Sequence, residues 1–109
     1  MEEKDRQLVL EFKRRLSDEV LGHLKRLILF GSRARGEGTQ DSDLDLVALV
    51  DEKNPEIENK LSDAAYSVMW DHDFRPIISL KVFAESRFRS AAEKGYSFYR
   101  NVEREGVSL

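Results

Sequence analysis

The sequence contains no cysteine, only two prolines and no long apolar run. Without cysteine, neither disulfide bonds nor thiolate metal sites are available, which fits a reducing compartment. No segment approaches the roughly 18 apolar residues that a membrane span needs, and the charged N-terminus does not resemble a signal peptide. We therefore predict a cytoplasmic protein with no membrane partner.

An excess of positive charge is also missing. There are 21 acidic residues against 18 basic ones, so the net charge is −3 over 109 residues. This balance argues against a protein that coats nucleic acid through bulk charge. The short length, with no repeat and no linker, predicts one domain over residues 1–109 with a small core.

Three segments show the apolar periodicity of amphipathic helices. In the first, apolar residues recur every four positions, and a Ser-Asp pair either breaks the helix or caps a second one. A helical turn is expected before the last helix, and Gly106 is the expected C-cap. The predicted helices cover residues 2–22, 56–70 and 96–105, and the turn covers 85–89.

Continuous apolar runs predict strands over residues 25–30 and 43–50, both buried on two faces, and a third strand follows Pro76 over 77–83. The order is helix, strand, strand, helix, strand, helix. This order predicts an α/β (α+β) fold with a small mixed sheet flanked by helices.

The segment after the first strand is suited to binding phosphate. Gly31 has no Cβ, so a phosphate can approach its backbone closely. Ser32 offers a hydroxyl and an N–H group where a helical turn would begin. Arg33 and Arg35 can each hold phosphate oxygens through two hydrogen bonds. We predict that these four residues bind phosphate.

Two aspartates at the start of the second strand predict a metal site. Asp43 and Asp45 are two residues apart, so both side chains leave the same face of a strand. Neighbouring carboxylates repel each other unless a cation lies between them, and such oxygen ligands suit Mg²⁺ or Mn²⁺. A calcium loop starting at Asp41 is rejected, because Leu46 stands at the sixth position, where that loop requires glycine.

Each feature has an ordinary explanation when taken alone. An Asp-x-Asp pair is usually a solvated strand end, and Gly-Ser after an apolar run is usually a turn. Their combination is more specific. It predicts metal-assisted phosphoryl or nucleotidyl transfer, in which a protein mainly positions the reactants and neutralises charge.

The run Leu-Phe-Gly-Ser-Arg-Ala-Arg-Gly over 29–36, followed by Asp-Ser-Asp-Leu-Asp-Leu over 41–46, resembles the signature of the minimal nucleotidyltransferases. These belong to the DNA polymerase β-type nucleotidyltransferase superfamily, and residues 99–107 resemble the usual end of these proteins. The resemblance implies transfer of a nucleotide, often AMP from ATP, to a hydroxyl group. It implies two Mg²⁺ ions at Asp43 and Asp45 and the triphosphate at Gly31 and Ser32.

The same resemblance implies a partner. Many members of this family are encoded beside a small helical HEPN-domain protein, a ribonuclease toxin. They act as its antitoxin by binding or adenylylating it. We therefore expect ATP or another NTP as substrate and a HEPN-type protein as a candidate partner.

One departure from the family pattern concerns the third strand, where the superfamily usually supplies a third carboxylate. Ser79 is the expected occupant of that position, and a serine cannot serve as a carboxylate base. Asp71 and Asp73 precede the strand, and we favour a charged loop for both. Lys81 either contacts substrate phosphate or lies at the sheet edge, and we favour the edge.

The missing acid leaves an alternative open. The domain would then be a catalytically weakened or inactive binding module that masks a helical partner. A third interpretation is a subunit whose site is completed by another chain, and a homo-oligomer is compatible with the sequence.

Overall fold

The computed structural model describes residues 1–109 and contains five α-helices packed on a four-stranded sheet. No helix is long and apolar enough to cross a membrane. The fold is mixed α and β, as predicted. In chain order the elements are α1 Glu3–Arg14, α2 Asp18–His23, β1 Leu24–Phe30, β2 Leu44–Val50, α3 Pro55–Asp71, β3 Ile78–Ala84, α4 Glu85–Glu93, α5 Ser97–Glu105 and β4 Val107–Ser108.

The sheet has the strand order β3-β2-β1-β4 and is mixed. β1 runs antiparallel to both β2 and β4, whereas β2 and β3 are parallel. The parallel pair needs a long crossover, and α3 provides it. β3 is an edge strand, so Lys81 lies at the edge of the sheet, as predicted.

Helices cover both faces of the sheet. α1, α2 and α3 pack on one face around a core that includes Phe12, Leu29, Leu46 and Leu61. The other face carries a smaller core in which Ile28, Val47 and Leu49 meet one residue each from α4 and α5, Phe88 and Val102. Because successive strand residues point to opposite faces, β1 and β2 must be apolar at nearly every position.

Two predicted elements differ from the structure near the N-terminus and in the last third of the chain. The first predicted helix is two helices, since the Ser17 hydroxyl accepts a hydrogen bond from the Val20 N–H group and caps α2 (3.3 Å). The predicted turn over 85–89 is the longer helix α4, which ends at Glu93.

The end of the chain agrees with the prediction in part. The sequence patterns did not predict β4. Gly106 is the C-cap of α5, as predicted, but it does not adopt the left-handed conformation of a typical glycine C-cap. Its φ and ψ are −71° and 154°. A glycine is needed at position 106 because there is no room for a side chain. A Cβ there would lie 2.5 Å from the Val102 carbonyl oxygen and would also collide with the Ile28 side chain.

Candidate functional site

The candidate site lies where β1 ends and β2 begins. Phe30 pairs with Asp45 across the antiparallel ladder, so Gly31 follows immediately beside that aspartate. Gly31 has a φ of +79°, and a Cβ at this position would lie 2.5 Å from Asp45 Oδ2. The Asp45 carboxylate therefore rests against the Gly31 backbone. The two halves of the sequence signature are in contact.

A turn over residues 31–36 follows β1. The Arg35 N–H group donates to the Gly31 carbonyl (3.2 Å), and the Glu37 N–H group donates to the Ser32 carbonyl (2.9 Å). The N–H groups of Ser32, Arg33 and Ala34 donate to no backbone acceptor. Ser32 is half-buried, whereas Arg33 and Ala34 are buried, so the Ser32 N–H group is the most accessible of the three.

The pKa of Asp45 is affected by burial and by two neighbouring charges. Burial disfavours its charged form and the Asp43 carboxylate repels it, so the pKa of Asp45 is raised, although the Lys81 ammonium acts in the opposite direction. Asp43 is exposed and Asp45 half-buried. A cation placed between them would relieve this repulsion.

The third strand contributes no carboxylate. In the parallel ladder Asp45 pairs with Ser79, and Val47 pairs with Lys81. No group of three or more His, Cys, Asp or Glu side chains is arranged to hold a metal ion. Asp71 instead pairs with Arg15 (2.7 Å), and Asp73 lies exposed in the turn between α3 and β3.

Arg33 is buried and held by the protein itself. Its Nη1 donates to the Asp5 carboxylate (2.7 Å) and its Nε to the Ser42 carbonyl (2.9 Å), while Nη2 donates to the carbonyls of Thr39 (3.0 Å) and Gln40 (3.3 Å). Only 5% of the Arg33 residue is exposed. Since binding phosphate would break this buried ion pair, we leave Arg33 out of the phosphate site.

Arg35 is exposed and pairs with Glu37 (3.1 Å) and Glu105 (3.4 Å). Its guanidinium is therefore already shared between two carboxylates.

The sequence analysis did not identify Asp5, the buried partner of Arg33. An acidic residue in the first turn of a charged helix looks like ordinary surface charge.

A groove of about 1080 Å³ runs between α1 and the turn that precedes β3. Asp43 lies on its wall, as do three arginines, Arg14, Arg33 and Arg75. Asp45 does not line this groove. The groove therefore reaches the aspartate pair at Asp43, whereas Asp45 lies against the Gly31 turn.

A mixed sheet that joins a Gly-Ser turn to an Asp-x-Asp pair defines a nucleotidyltransferase fold, and comparison with known proteins agrees. The family model described as "Nucleotidyltransferase domain" matches residues 7–102. The chain therefore belongs to the nucleotidyltransferase domain family, which confirms the resemblance drawn from its signature.

Two relatives come from Methanocaldococcus jannaschii. "Putative protein adenylyltransferase MJ0141" is 36% identical over 84 residues, which cover 73% of this chain and 84% of that protein. "Putative protein adenylyltransferase MJ0604" is 31% identical over 101 residues, 93% of each chain. A solved "Structure of putative minimal nucleotidyltransferase" superposes with a TM-score of 0.51 at 24% identity and covers 94% of this chain and 95% of that one. That likeness concerns the fold.

Proposed function

We propose that this chain binds a metal-bound nucleoside triphosphate, with ATP as the first candidate, and transfers its nucleotidyl group to a hydroxyl acceptor. The observation that carries the proposal is the contact of the Asp45 carboxylate with Gly31, next to a turn in which the N–H groups of residues 32–34 have no backbone acceptor. Negative charge for a cation and donors for phosphate oxygens thus lie side by side.

The aspartate pair fits a divalent ion that arrives with its nucleotide. Mg²⁺ is usually held by one or two carboxylates together with substrate phosphates and water. Asp43 and Asp45 supply the carboxylates, and an ion between them would relieve the repulsion that contributes, after burial, to the raised pKa of Asp45. The chemistry that two Mg²⁺ ions, or Mn²⁺ in their place, supply in such a site is neutralisation of the triphosphate and of the leaving pyrophosphate.

The turn would hold the phosphate chain. The Ser32 hydroxyl and the N–H groups of Ser32, Arg33 and Ala34 would donate to phosphate oxygens, as backbone donors do in other phosphate sites. The missing side chain of Gly31 leaves room for the Asp45 carboxylate, which brings that carboxylate beside the turn.

In the proposed reaction the acceptor oxygen forms a bond to the α-phosphorus, and the bond from that phosphorus to the bridging oxygen breaks. Pyrophosphate leaves, and the hydroxyl proton passes to water, since Ser79 rather than an acid stands beside Asp45. The groove that ends at Asp43 gives an acceptor a route to the site.

We propose a hydroxyl of a partner protein as the acceptor. The support is the name that two relatives carry, "Putative protein adenylyltransferase". The more specific proposal, adenylylation or binding of a HEPN-type helical toxin, rests on the resemblance of the signature to that family.

The test is transfer of label from ATP labelled at the α-phosphate to a HEPN-type protein, with Mg²⁺ and then with Mn²⁺. The double variant Asp43→Asn/Asp45→Asn should lose transfer. Asp41→Asn, an exposed aspartate of the same loop, is the matched control and should retain it. No transfer by a folded wild-type sample with either metal would contradict an enzyme.

A second candidate function is a binding module that masks a helical partner without catalysis. Ser79 at the register position beside Asp45 favours it, because a site without a third acid loses a base. Inhibition of the partner that survives in the Asp43→Asn/Asp45→Asn variant would support masking. Inhibition that depends on both aspartates and on ATP would support transfer.

A further inference from the structure

Lys81 shares a face of the sheet with Asp45. Asp45 pairs with Ser79 in the parallel ladder, and residues two apart on a strand point the same way. The Lys81 side chain therefore leaves β3 on the face that carries the Asp45 carboxylate. Lys81 lies two residues beyond Ser79, the residue that pairs with Asp45.

The Lys81 side chain has no partner of its own. It is exposed on an edge strand and makes no ion pair or hydrogen bond with any other residue. Two cations beside the Gly31 turn are already paired, Arg33 with Asp5 and Arg35 with Glu37 and Glu105. Arg14 and Arg75 have no ion pair, but they line the groove at Asp43. Lys81 is thus an unpaired, exposed cation on the face of the sheet that carries Asp45.

We infer that Lys81 is a phosphate-binding residue of this site, and that its ammonium group holds the phosphate chain of the nucleoside triphosphate from the β3 side. The inference rests on the proposed function and deepens it, because it names a third contact for the ligand. The ligand would then lie between the N–H groups of the turn after Gly31 and the ammonium of Lys81.

This arrangement assigns a function to the strand that lacks an acid. With Ser79 neutral and Lys81 positive, β3 adds positive charge where a third carboxylate would add negative charge. Such a strand favours binding of a polyphosphate over deprotonation of an acceptor. A lysine that only protects the sheet edge from pairing with other chains would have the same exposure but no effect on ligand binding.

The experiment measures equilibrium binding of ATP, AMP and adenosine by isothermal titration calorimetry, with and without Mg²⁺. The variants are Lys81→Met, which keeps the length but not the charge, and Lys81→Arg, which keeps the charge. Lys25→Met is the matched control, since Lys25 is an exposed lysine on β1 of the same sheet.

We expect Lys81→Met to weaken ATP binding about tenfold or more, as for the loss of a charge-assisted hydrogen bond. The loss should be smaller for AMP and absent for adenosine. Lys81→Arg should restore most of the affinity, and Lys25→Met should bind like wild type. Circular dichroism and urea unfolding would establish that each variant is folded.

The outcomes separate the two proposals. ATP binding by wild type with equal affinity in Lys81→Met would overturn the role of Lys81 and leave the proposed function standing. An equal loss for adenosine and ATP would also overturn it, because the effect would not depend on phosphate. No ATP binding by wild type with Mg²⁺ or Mn²⁺ would overturn the proposed function itself, and the Lys81 role with it.

Discussion

Gly31 is constrained twice, by its backbone and by its neighbour. A φ of +79° costs a residue with a Cβ about 1–2 kcal/mol. The added Cβ would also lie 2.5 Å from Asp45 Oδ2 and displace that carboxylate. We predict that Gly31→Ala lowers the free energy of unfolding by about 1–2 kcal/mol and abolishes Mg²⁺–ATP binding. Urea unfolding and calorimetry measure the two effects.

Gly22 provides the matched control for this substitution. It lies in α2, and a Cβ there would meet nothing within 4 Å. Gly22→Ala should leave ligand binding unchanged and be neutral or stabilising by up to about 1 kcal/mol, as alanine is the better helix former. Equal losses of binding in the two variants would contradict a specific role for Gly31.

Arg33 and Arg35 are two residues apart and differ in environment. The buried Arg33–Asp5 pair ties α1 to the loop that leads into Asp43, whereas Arg35 is exposed. Removing one partner of a buried pair leaves an uncompensated charge. We predict that Arg33→Met lowers the free energy of unfolding by about 3–5 kcal/mol, whereas Arg35→Met should change it little, because exposed ion pairs contribute little.

Urea unfolding followed by circular dichroism measures both changes. The double variant Arg33→Met/Asp5→Leu serves as the further test, since it removes both charges together. It should be more stable than Arg33→Met alone. Similar losses in Arg33→Met and Arg35→Met would indicate that burial of this pair does not matter for stability.

At the scale of elements, a polar network fastens the C-terminal end of α1 to that of α3. Arg15 contacts Ser67 (2.6 Å) and Asp71 (2.7 Å), and the Glu11 carboxylate lies 2.8 Å from His72 Nε2. Burial alone would raise the pKa of Glu11, but hydrogen bonds and charge from His72 and Arg15 outweigh it and lower the pKa. The network therefore favours the ionised form of Glu11.

This shift predicts a pH-dependent contribution to stability. Because the pKa of Glu11 is lower in the folded state, the contribution is complete above the ordinary value of 4.5 and is lost as the pH falls through the lowered pKa. Glu11→Gln should cost about 0.5–1 kcal/mol at pH 7, and the difference from wild type should shrink below pH 4.5. Glu93→Gln is the control, because Glu93 is exposed and makes no ion pair. A difference that stays constant down to acidic pH would count against this assignment.

The elements also show what sequence patterns can and cannot predict. β1 and β2 were found because they fill cores on both faces and are therefore apolar throughout. β4 has two residues, and its pairing with Ile28 and Leu29 depends on where α5 ends relative to the sheet.

The candidate site shows the same limit, because sequence patterns reveal local features but not contacts between distant segments. The Asp-x-Asp pair is local, whereas the Arg33–Asp5 pair and the register of Lys81 join segments far apart in sequence.

At the scale of the whole molecule, the aromatic residues divide into a packed set and an exposed set. Phe88 of α4 is 1% exposed and contacts Phe83 and Tyr99 at ring-centroid distances of 5.7 and 5.3 Å. Trp70 near the end of α3 is 64% exposed, and its aromatic neighbours are Tyr66 and Phe74, at ring-centroid distances of 6.3 and 6.1 Å. The first set joins α4 and α5 to the sheet, while the second lies on the outside of the helix.

This division predicts unequal effects of truncating two aromatic rings. Phe88→Ala should lower the free energy of unfolding by about 3–5 kcal/mol, since it opens a cavity in the smaller core. Trp70→Ala should cost about 1 kcal/mol, the value of an exposed aromatic contact. Urea unfolding measures both changes. Trp70 is the single tryptophan, so its fluorescence can be followed alone. In the folded wild type its emission should lie close to the wavelength of the unfolded chain, and iodide should quench it readily. A blue-shifted, protected Trp70, or equal costs for the two substitutions, would mean that the outer face of α3 is covered in solution.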